Sequence, residues 1–374
     1  MRATYWRYFD FWLLGAVTIL VIIGVTMIRS AIAGNIELTT TTPLVTRQII
    51  FAFIGLAALL FTASVDYRLW SALSAQLYIG MIIVLAALNI IGGALFGSAR
   101  WFQTALVFIQ PSEFAKLVMI LVMAAYFARH AREMTNPRWT FLSFFLMMGL
   151  TIFVLLQPNL STSIVLVVLW FVLLWMAGLP LKHLLTYGAA GILVIAVSFP
   201  ILVQVGVIQE YQLRRILTFV APDPNARYGD TYNIEQALVS IGSGGWFGEG
   251  YGHGSQVQLR FLKVRWSDFI FSATAHELGF IGAMLVIVLI AFIVYRCLWA
   301  ARISPDPYGA LVSYGVATLI AFQALVNLGV NLKLMPATGL TLPFLSYGGS
   351  SLLANMIAIG LVESIIMRRK ALEM

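Results

Sequence analysis

Charge is the scarce quantity in this chain. Only 10% of its 374 residues are Asp, Glu, Lys or Arg, whereas 61% are hydrophobic and the mean hydropathy is +0.92. Soluble domains carry roughly a quarter charged residues, so the composition excludes a soluble globular fold and selects an integral membrane protein. Cysteine is scarcer still. Cys297 is the single one, in a stretch expected on the cytoplasmic side, and it excludes a disulfide framework. The four histidines, His130, His183, His253 and His276, show no metal-ligand spacing. His276-Glu277 opens like a zinc-hydrolase motif, but Phe280 stands where the second histidine would be required, which excludes that chemistry. There is no internal repeat and no low-complexity tract, so residues 1–374 read as one membrane domain.

What the chain has instead is apolar runs long enough to cross a bilayer, about 20 residues at 1.5 Å rise. They fall at roughly 11–30, 47–65, 70–92, 112–129, 139–157, 161–179, 183–205, 268–299, 308–330 and 347–367. The expected fold is therefore all-α, with about ten transmembrane helices and one large extracytoplasmic loop at about 206–267. The first run is too long for a signal peptide and lacks a small-residue cleavage site, so it is expected as a retained helix.

Basic residues set the expected orientation. With a cytoplasmic N-terminus, the inner side carries Arg2, Arg7, Arg68, Arg129, Arg132, Arg138, Lys182, Arg296, Arg302, Arg368, Arg369 and Lys370. Both termini are then cytoplasmic. The outer loop is the exception to the rule, with Arg214, Arg215, Arg227, Arg260, Lys263 and Arg265. A solvated loop surface accounts for some of these; a cluster of them suits an anionic ligand or lipid headgroup.

Polar groups concentrate in four segments on that outer side. The first runs from Ser98-Ala99-Arg100-Trp101-Phe102 through Gln110-Pro111-Ser112-Glu113-Phe114-Ala115-Lys116. Pro111 suits the first position of a helix, which puts Glu113 in the first turn, at the positive end of the dipole. Lys116, three residues on, shares its face. The two either satisfy each other locally or point into a polar cavity. The second segment, Gln157-Pro158-Asn159-Leu160-Ser161-Thr162, reads by itself as a helix stop followed by a cap.

The third segment is the large loop, whose glycines Gly248, Gly250 and Gly252 superficially resemble a phosphate cradle. They follow no strand, so a nucleotide-binding reading fails; they serve a backbone that turns or comes close to something. The fourth, residues 333–351, carries Pro336, Gly339 and Pro343 in an apolar stretch. It reads as a re-entrant or plug-like loop packed inside protein, the only setting in which such backbone survives at membrane depth.

Asp268 ends the outer loop and opens a long apolar run. A carboxylate at the mouth of a membrane helix is costly to keep, so it is a functional hypothesis by default. The bland alternative is an N-cap, which Ser267 or Asp268 could supply.

Together these segments resemble the SEDS family of polytopic membrane proteins, named for shape, elongation, division and sporulation. The matching pieces are QPSEFAK (110–116), QPNLSTS (157–163), IGSGGWFGEGYGHGSQ (241–256), SDFIFSATAHELGFIG (267–282) and PATGLTLPFLSYGGSS (336–351). Chain length and short ends resemble the elongation branch, RodA, with the division branch, FtsW, as the alternative.

The resemblance implies a peptidoglycan glycosyltransferase that polymerises lipid II on the outer face of the cytoplasmic membrane. It also implies a class B penicillin-binding protein as transpeptidase partner, and no nucleic acid. A lipid II flippase or a scaffold would share much of the same architecture. By motif, Asp268 matches the family's essential aspartate, and Glu113 and Lys116 match a conserved pair in the fourth helix. Two departures stand out: Asn159, where the family often has Asp, and His276, where it commonly has an acidic residue.

Asp268 is then expected as general base on the acceptor hydroxyl. Arg100, Lys116, Arg214 and Arg215 are expected at the diphosphate, with Gln110, Glu113 and Ser346 completing the substrate site. No cofactor is assigned, and a divalent cation stays open.

Overall fold

The structure, a computed structural model, describes residues 5–33, 44–96, 102–103, 108–133, 136–204, 213, 219, 230–259 and 261–369. Ten long helices carry the fold. They are α1 (Phe11–Ile32), α2 (Leu44–Ser64), α3 (Ser74–Phe96), α4 (Pro111–His130), α5 (Pro137–Leu156), α6 (Leu160–Met176), α7 (Leu181–Gln204), α8 (Ile270–Arg302), α9 (Pro307–Asn331) and α10 (Gly349–Met367). Seven are long and apolar enough to cross a membrane. The others contribute the shorter apolar helical stretches Ser74–Ile90, Leu160–Met176 and Leu181–Val194. Each of the ten expected spans falls on one of these helices. A two-residue antiparallel ladder, Phe102 opposite Ile109, precedes α4 and was not legible from alternation. The loop before α8 contains the short helices Asp230–Ser243 and Ser255–Gln258.

Lipid and protein divide the helices clearly. In α10 and α4, 89% and 83% of the apolar window is buried inside the protein, against 28% in α2 and 33% in α5. Helix α4 packs against α3, α5, α6, α9 and α10 and forms the centre of the bundle. The outer helices turn Phe53, Ile83, Phe141, Ile192 and Val197 outward, as a hydrocarbon solvent requires. The chain ends meet on one face: Arg368 lies over the Tyr5 ring and Arg369 over Tyr8.

Helix α8 has 33 residues, about 50 Å at 1.5 Å per residue, longer than a hydrocarbon core. It is broken at Gly279, whose φ of 68° and ψ of −168° interrupt the hydrogen-bond ladder. The loop glycines repair the break. The N–H groups of Glu249 and Gly250 donate to the carbonyls of His276 and Glu277 at 3.0 and 3.1 Å, and those of Phe280 and Ile281 donate to Gly245 and Trp246. A Cβ on Gly279 would stand 2.3 Å from the Gly248 nitrogen. The glycine-rich stretch thus does approach closely, and what it approaches is the backbone of α8.

The segment between α9 and α10, the expected re-entrant loop, is non-helical and packed inside protein. Leu340, Leu342, Phe344 and Leu345 are buried, while Lys333, Gly339 and Phe344 take positive φ. Its polar backbone is held by Asn327, Gln48 and Ser346, which bond Leu340 O, Ser346 O and Leu342 N respectively.

Candidate active site

Where the loop before α8, the re-entrant segment and the first turns of α2, α4 and α6 converge, they enclose a cavity of about 640 Å³. That volume suits a sizeable substrate. Its polar wall is assembled from separate elements. Arg47 comes from α2, Gln110 and Glu113 from α4, Asn159 and Thr162 from α6, Ser267 and Asp268 from the loop, and Thr341, Tyr347, Ser350 and Ser351 from the re-entrant segment and α10. Leu44, Phe51, Val264, Trp266 and Leu340 supply the apolar part.

Asp268 stands in this wall, and a second, smaller cavity of about 110 Å³ reaches it from the side of Asn233, Asn327 and Thr338. It does not cap α8. The cap position is Phe269, with no side-chain cap hydrogen bond, so the capping alternative fails. The Ser267 hydroxyl donates to Asp268 Oδ1 at 2.9 Å. The backbone of Asp268 is clamped from α9: its carbonyl accepts from Asn327 Nδ2 at 3.1 Å and from Asn331 Nδ2 at 3.0 Å. Asn331 is in turn oriented by Ser272, whose N–H and hydroxyl both donate to Asn331 Oδ1.

Glu113 sits in the first turn of α4 behind Pro111, where the helix dipole favours a carboxylate. Both alternatives for it hold together. It lines the cavity, and Lys116 Nζ donates to its Oε2 at 2.7 Å, with the Lys116 side chain 1% exposed. Lys116 therefore stands behind the wall, and its effect on the cavity passes through Glu113. Ser346 also stands behind the wall rather than in it. Its hydroxyl donates to Ser267 O and accepts from Leu342 N, tying the re-entrant segment to the residue before Asp268. Asn159 caps α6 through Thr162 N and donates to Ser112 Oγ, so the capping expectation holds while the residue also faces the cavity.

Arg100, Arg214 and Arg215 lie outside the described residues. Of the other outer-loop cations, Arg265 is buried and spent on Ala31 O and Leu262 O, a structural role. Among the described residues, the cation that does reach the cavity is Arg47, which was missed. It sits in the first turn of α2 and shares the cavity wall with Tyr347. Asn327 and Asn331 were also missed; two asparagines at i, i+4 in an apolar helix were the available signal.

His276 and Glu277 are fully buried away from the cavity. His276 bonds Ser243 and the Gln256 N–H, while Glu277 accepts from Ser30 and the Gly252 N–H. Among the described residues no group of three His, Cys, Asp or Glu is disposed to hold a metal ion.

Residues 11–371 match the FtsW/RodA/SpoVE family, described as cell cycle proteins. The chain is 34% identical to a probable peptidoglycan glycosyltransferase FtsW of Hydrogenovibrio crunogenus, over 94% of this chain and 90% of that protein. It is 33% identical to stage V sporulation protein E of Bacillus subtilis, over 94% and 96%. Among solved structures it is similar to a chain of a peptidoglycan synthase complex that coordinates polymerization and crosslinking (TM-score 0.80, 29% identity, covering 96% of this chain and 98% of that one). It is similar also to the rod shape determining protein RodA of Thermus thermophilus (TM-score 0.69, 28% identity, covering 96% and 97%). The chain belongs to the FtsW/RodA/SpoVE family of cell cycle proteins.

Proposed function

We propose that this protein is a peptidoglycan glycosyltransferase that polymerises lipid II at the outer face of the cytoplasmic membrane, with Asp268 as general base. The observation that carries the reading is the position of Asp268. It lies in the wall of the 640 Å³ cavity, does not occupy the cap position of α8, and is anchored through its backbone by two asparagines.

In the proposed step, the Asp268 carboxylate takes the proton of the acceptor sugar's 4-hydroxyl as that oxygen attacks the donor's anomeric carbon. The bond from that carbon to the diphosphate oxygen breaks, and the diphosphate departs with the electron pair. A diphosphate needs no proton to leave, but its growing charge needs a cation. Arg47 is the described cation in the cavity wall, with Arg100, Arg214 and Arg215 retained as further contacts. Gln110 and Glu113 are assigned to the sugar and peptide part of the substrate, and Lys116 and Ser346 to holding Glu113 and the Asp268 segment.

A flippase would need polar groups through the bilayer midplane. Here Arg47, Glu113, Thr162 and Asp268 all lie at helix starts, at one end of the bundle, which favours an enzyme working at one face.

The expectation of an elongation role finds less support than a division or sporulation role. The FtsW and sporulation relatives named above are 33–34% identical, against 28% for the RodA structure. We assign the protein to FtsW-type synthesis. The similarity to a chain of a peptidoglycan synthase complex supports a penicillin-binding transpeptidase as partner. The basic residues at the face where the chain ends meet support cytoplasmic termini.

The test is polymerisation of purified lipid II by the protein with a cognate class B penicillin-binding protein, wild type against Asp268→Asn. Loss of a general base removes about 10²- to 10⁴-fold, so polymer is expected from wild type and almost none from the variant. Polymer at the wild-type rate from folded Asp268→Asn protein would overturn the assignment.

A further inference from the structure

The far end of α8 from Asp268 carries a second concave site, independent of the proposed reaction. Its volume is about 400 Å³, and it is walled by the segment Arg7–Trp12, by Arg296 and Trp299 of α8, and by Ile366 and Arg369 at the end of α10. Among the described residues, three guanidinium groups face it against one carboxylate, that of Asp10. Asp10 is already committed: Arg296 bonds it through both Nε and Nη2, and its other oxygen caps α1 at Trp12 N and Leu13 N. The start of α1 is therefore closed by the protein's own carboxylate and is not what would hold an anion.

Trp299 organises the cations. Arg296 lies 4.2 Å and Arg369 5.5 Å from its ring centroid, and Arg369 lies 5.2 Å from that of Tyr8. A guanidinium stacked on an aromatic face keeps its in-plane donors free for a planar or tetrahedral oxyanion. Arg7, in the 3-10 turn Trp6–Tyr8, is exposed beside them. The depth of the site also matters. It lies where α1 begins and α10 ends, and the ends of membrane-spanning helices fall at the level of the lipid headgroups. Phe11 and Trp12, at the lip of the same site, are 70% and 77% exposed, an apolar flank on the side where α1 enters lipid. Surplus arginine at headgroup level, flanked by outward aromatics, is the chemistry that recognises an anionic phospholipid.

We propose that this site binds the phosphodiester headgroup of an anionic phospholipid, with Arg7 and Arg369 on the phosphate and Phe11 and Trp12 along the first acyl carbons. Arg296 holds Asp10 and the floor of the site.

The experiment is native mass spectrometry of the full chain in detergent, titrated separately with phosphatidylglycerol, phosphatidylcholine and inorganic phosphate. The variants are Arg7→Gln, Arg7→Gln with Arg369→Gln, and Arg302→Gln as a same-face arginine outside the site. One phosphatidylglycerol is expected to bind the wild type and Arg302→Gln alike. Losing a charged donor costs about tenfold in affinity, so Arg7→Gln is expected to weaken binding by about that factor and the double variant by more. Arg7→Gln changes an exposed side chain and keeps the proposal testable if the double variant does not fold. Equal phosphatidylglycerol binding by wild type and Arg7→Gln would overturn the proposal. So would phosphatidylcholine binding as tightly, which would mean a general lipid belt, or inorganic phosphate displacing the lipid at equal concentration, which would mean a free-phosphate pocket.

Discussion

The side-chain amide of Asn331, at the end of α9, donates a 3.0 Å hydrogen bond to the backbone carbonyl of Asp268, at the entrance to α8. Asn327, one turn earlier, donates to the same carbonyl and also to Leu340 O in the re-entrant segment. One helix face thus sets the positions of both the proposed base and the loop opposite it. Asn331→Asp keeps an acceptor for Ser272 but places an oxygen against the Asp268 carbonyl. A displacement of about 1 Å in a reacting group costs on the order of 100-fold. The expected outcome is a kcat reduced by about 10- to 100-fold, with a much smaller change in KM for lipid II, while the detergent-purified protein keeps its helical content. A KM effect larger than the kcat effect would point to substrate contact in place of positioning.

The Glu113–Lys116 pair separates stability from activity. Removing one partner of a buried ion pair leaves an uncompensated charge and costs about 3–5 kcal/mol, whereas removing both is often nearly neutral. Lys116 is almost fully enclosed, so Lys116→Met is expected to lower the unfolding midpoint sharply. Adding Glu113→Gln to it is expected to restore much of the loss. Activity is expected to stay low in the double variant, because Glu113 itself faces the cavity. Recovery of both stability and polymerisation would make the pair a local structural element only. Thermal unfolding in detergent beside lipid II polymerisation measures the two quantities.

Much of this architecture was legible because the bilayer imposes it. Span lengths follow from its thickness, and the re-entrant loop follows from prolines and Gly339 in an apolar stretch that must be buried. Pro111 and Glu113 announced the start of α4 by helix-end chemistry alone. What could not be read was which distant segments share a wall. Arg47 is close in sequence to none of the motifs that point to the site, and reaches it only because α2 packs against α10. Ser346 carried the chemistry of a ligand contact, yet its hydroxyl is used up within the loop and on Ser267 O. The glycine-rich stretch was legible as a close approach; that its partner is the broken ladder of α8 was not, since the helical break at Gly279 has no local proline to signal it.

That break gives a prediction of its own. Gly279 and Gly248 both have positive φ, and a Cβ on either would meet the other segment's backbone at 2.1–2.3 Å. Gly279→Ala and Gly248→Ala must each relieve backbone overlap in addition to about 1–3 kcal/mol of conformational strain. Both are expected to lower the thermal midpoint and to speed proteolysis within residues 244–258. Gly191→Ala in α7, where no atom lies within 4 Å of the added Cβ, is expected to leave the midpoint unchanged or slightly raised. Equal midpoints for all three variants would mean that the loop does not lean on the break.

The anchorage of the same loop is expected to depend on pH through Glu249. The Ser255 N–H, bonded to Glu249 Oε2 at 2.7 Å, holds the carboxyl below its ordinary value of 4.5, with smaller help from His276 and the Ser255 hydroxyl. The backbone hydrogen bond from Ser255 is the main cause. A carboxyl depressed in the folded state stabilises it above the unfolded value, and that contribution disappears as pH falls through the folded-state value. At neutral pH, wild type is therefore expected to unfold at a higher temperature than Glu249→Gln, and the gap is expected to close on acidification below 4.5. The carboxylate is partly exposed, so screening keeps the effect small and paired scans of the two proteins in the same buffers are needed. A gap that persisted unchanged in acid would assign the difference to the shape of the side chain and remove the charge from the argument.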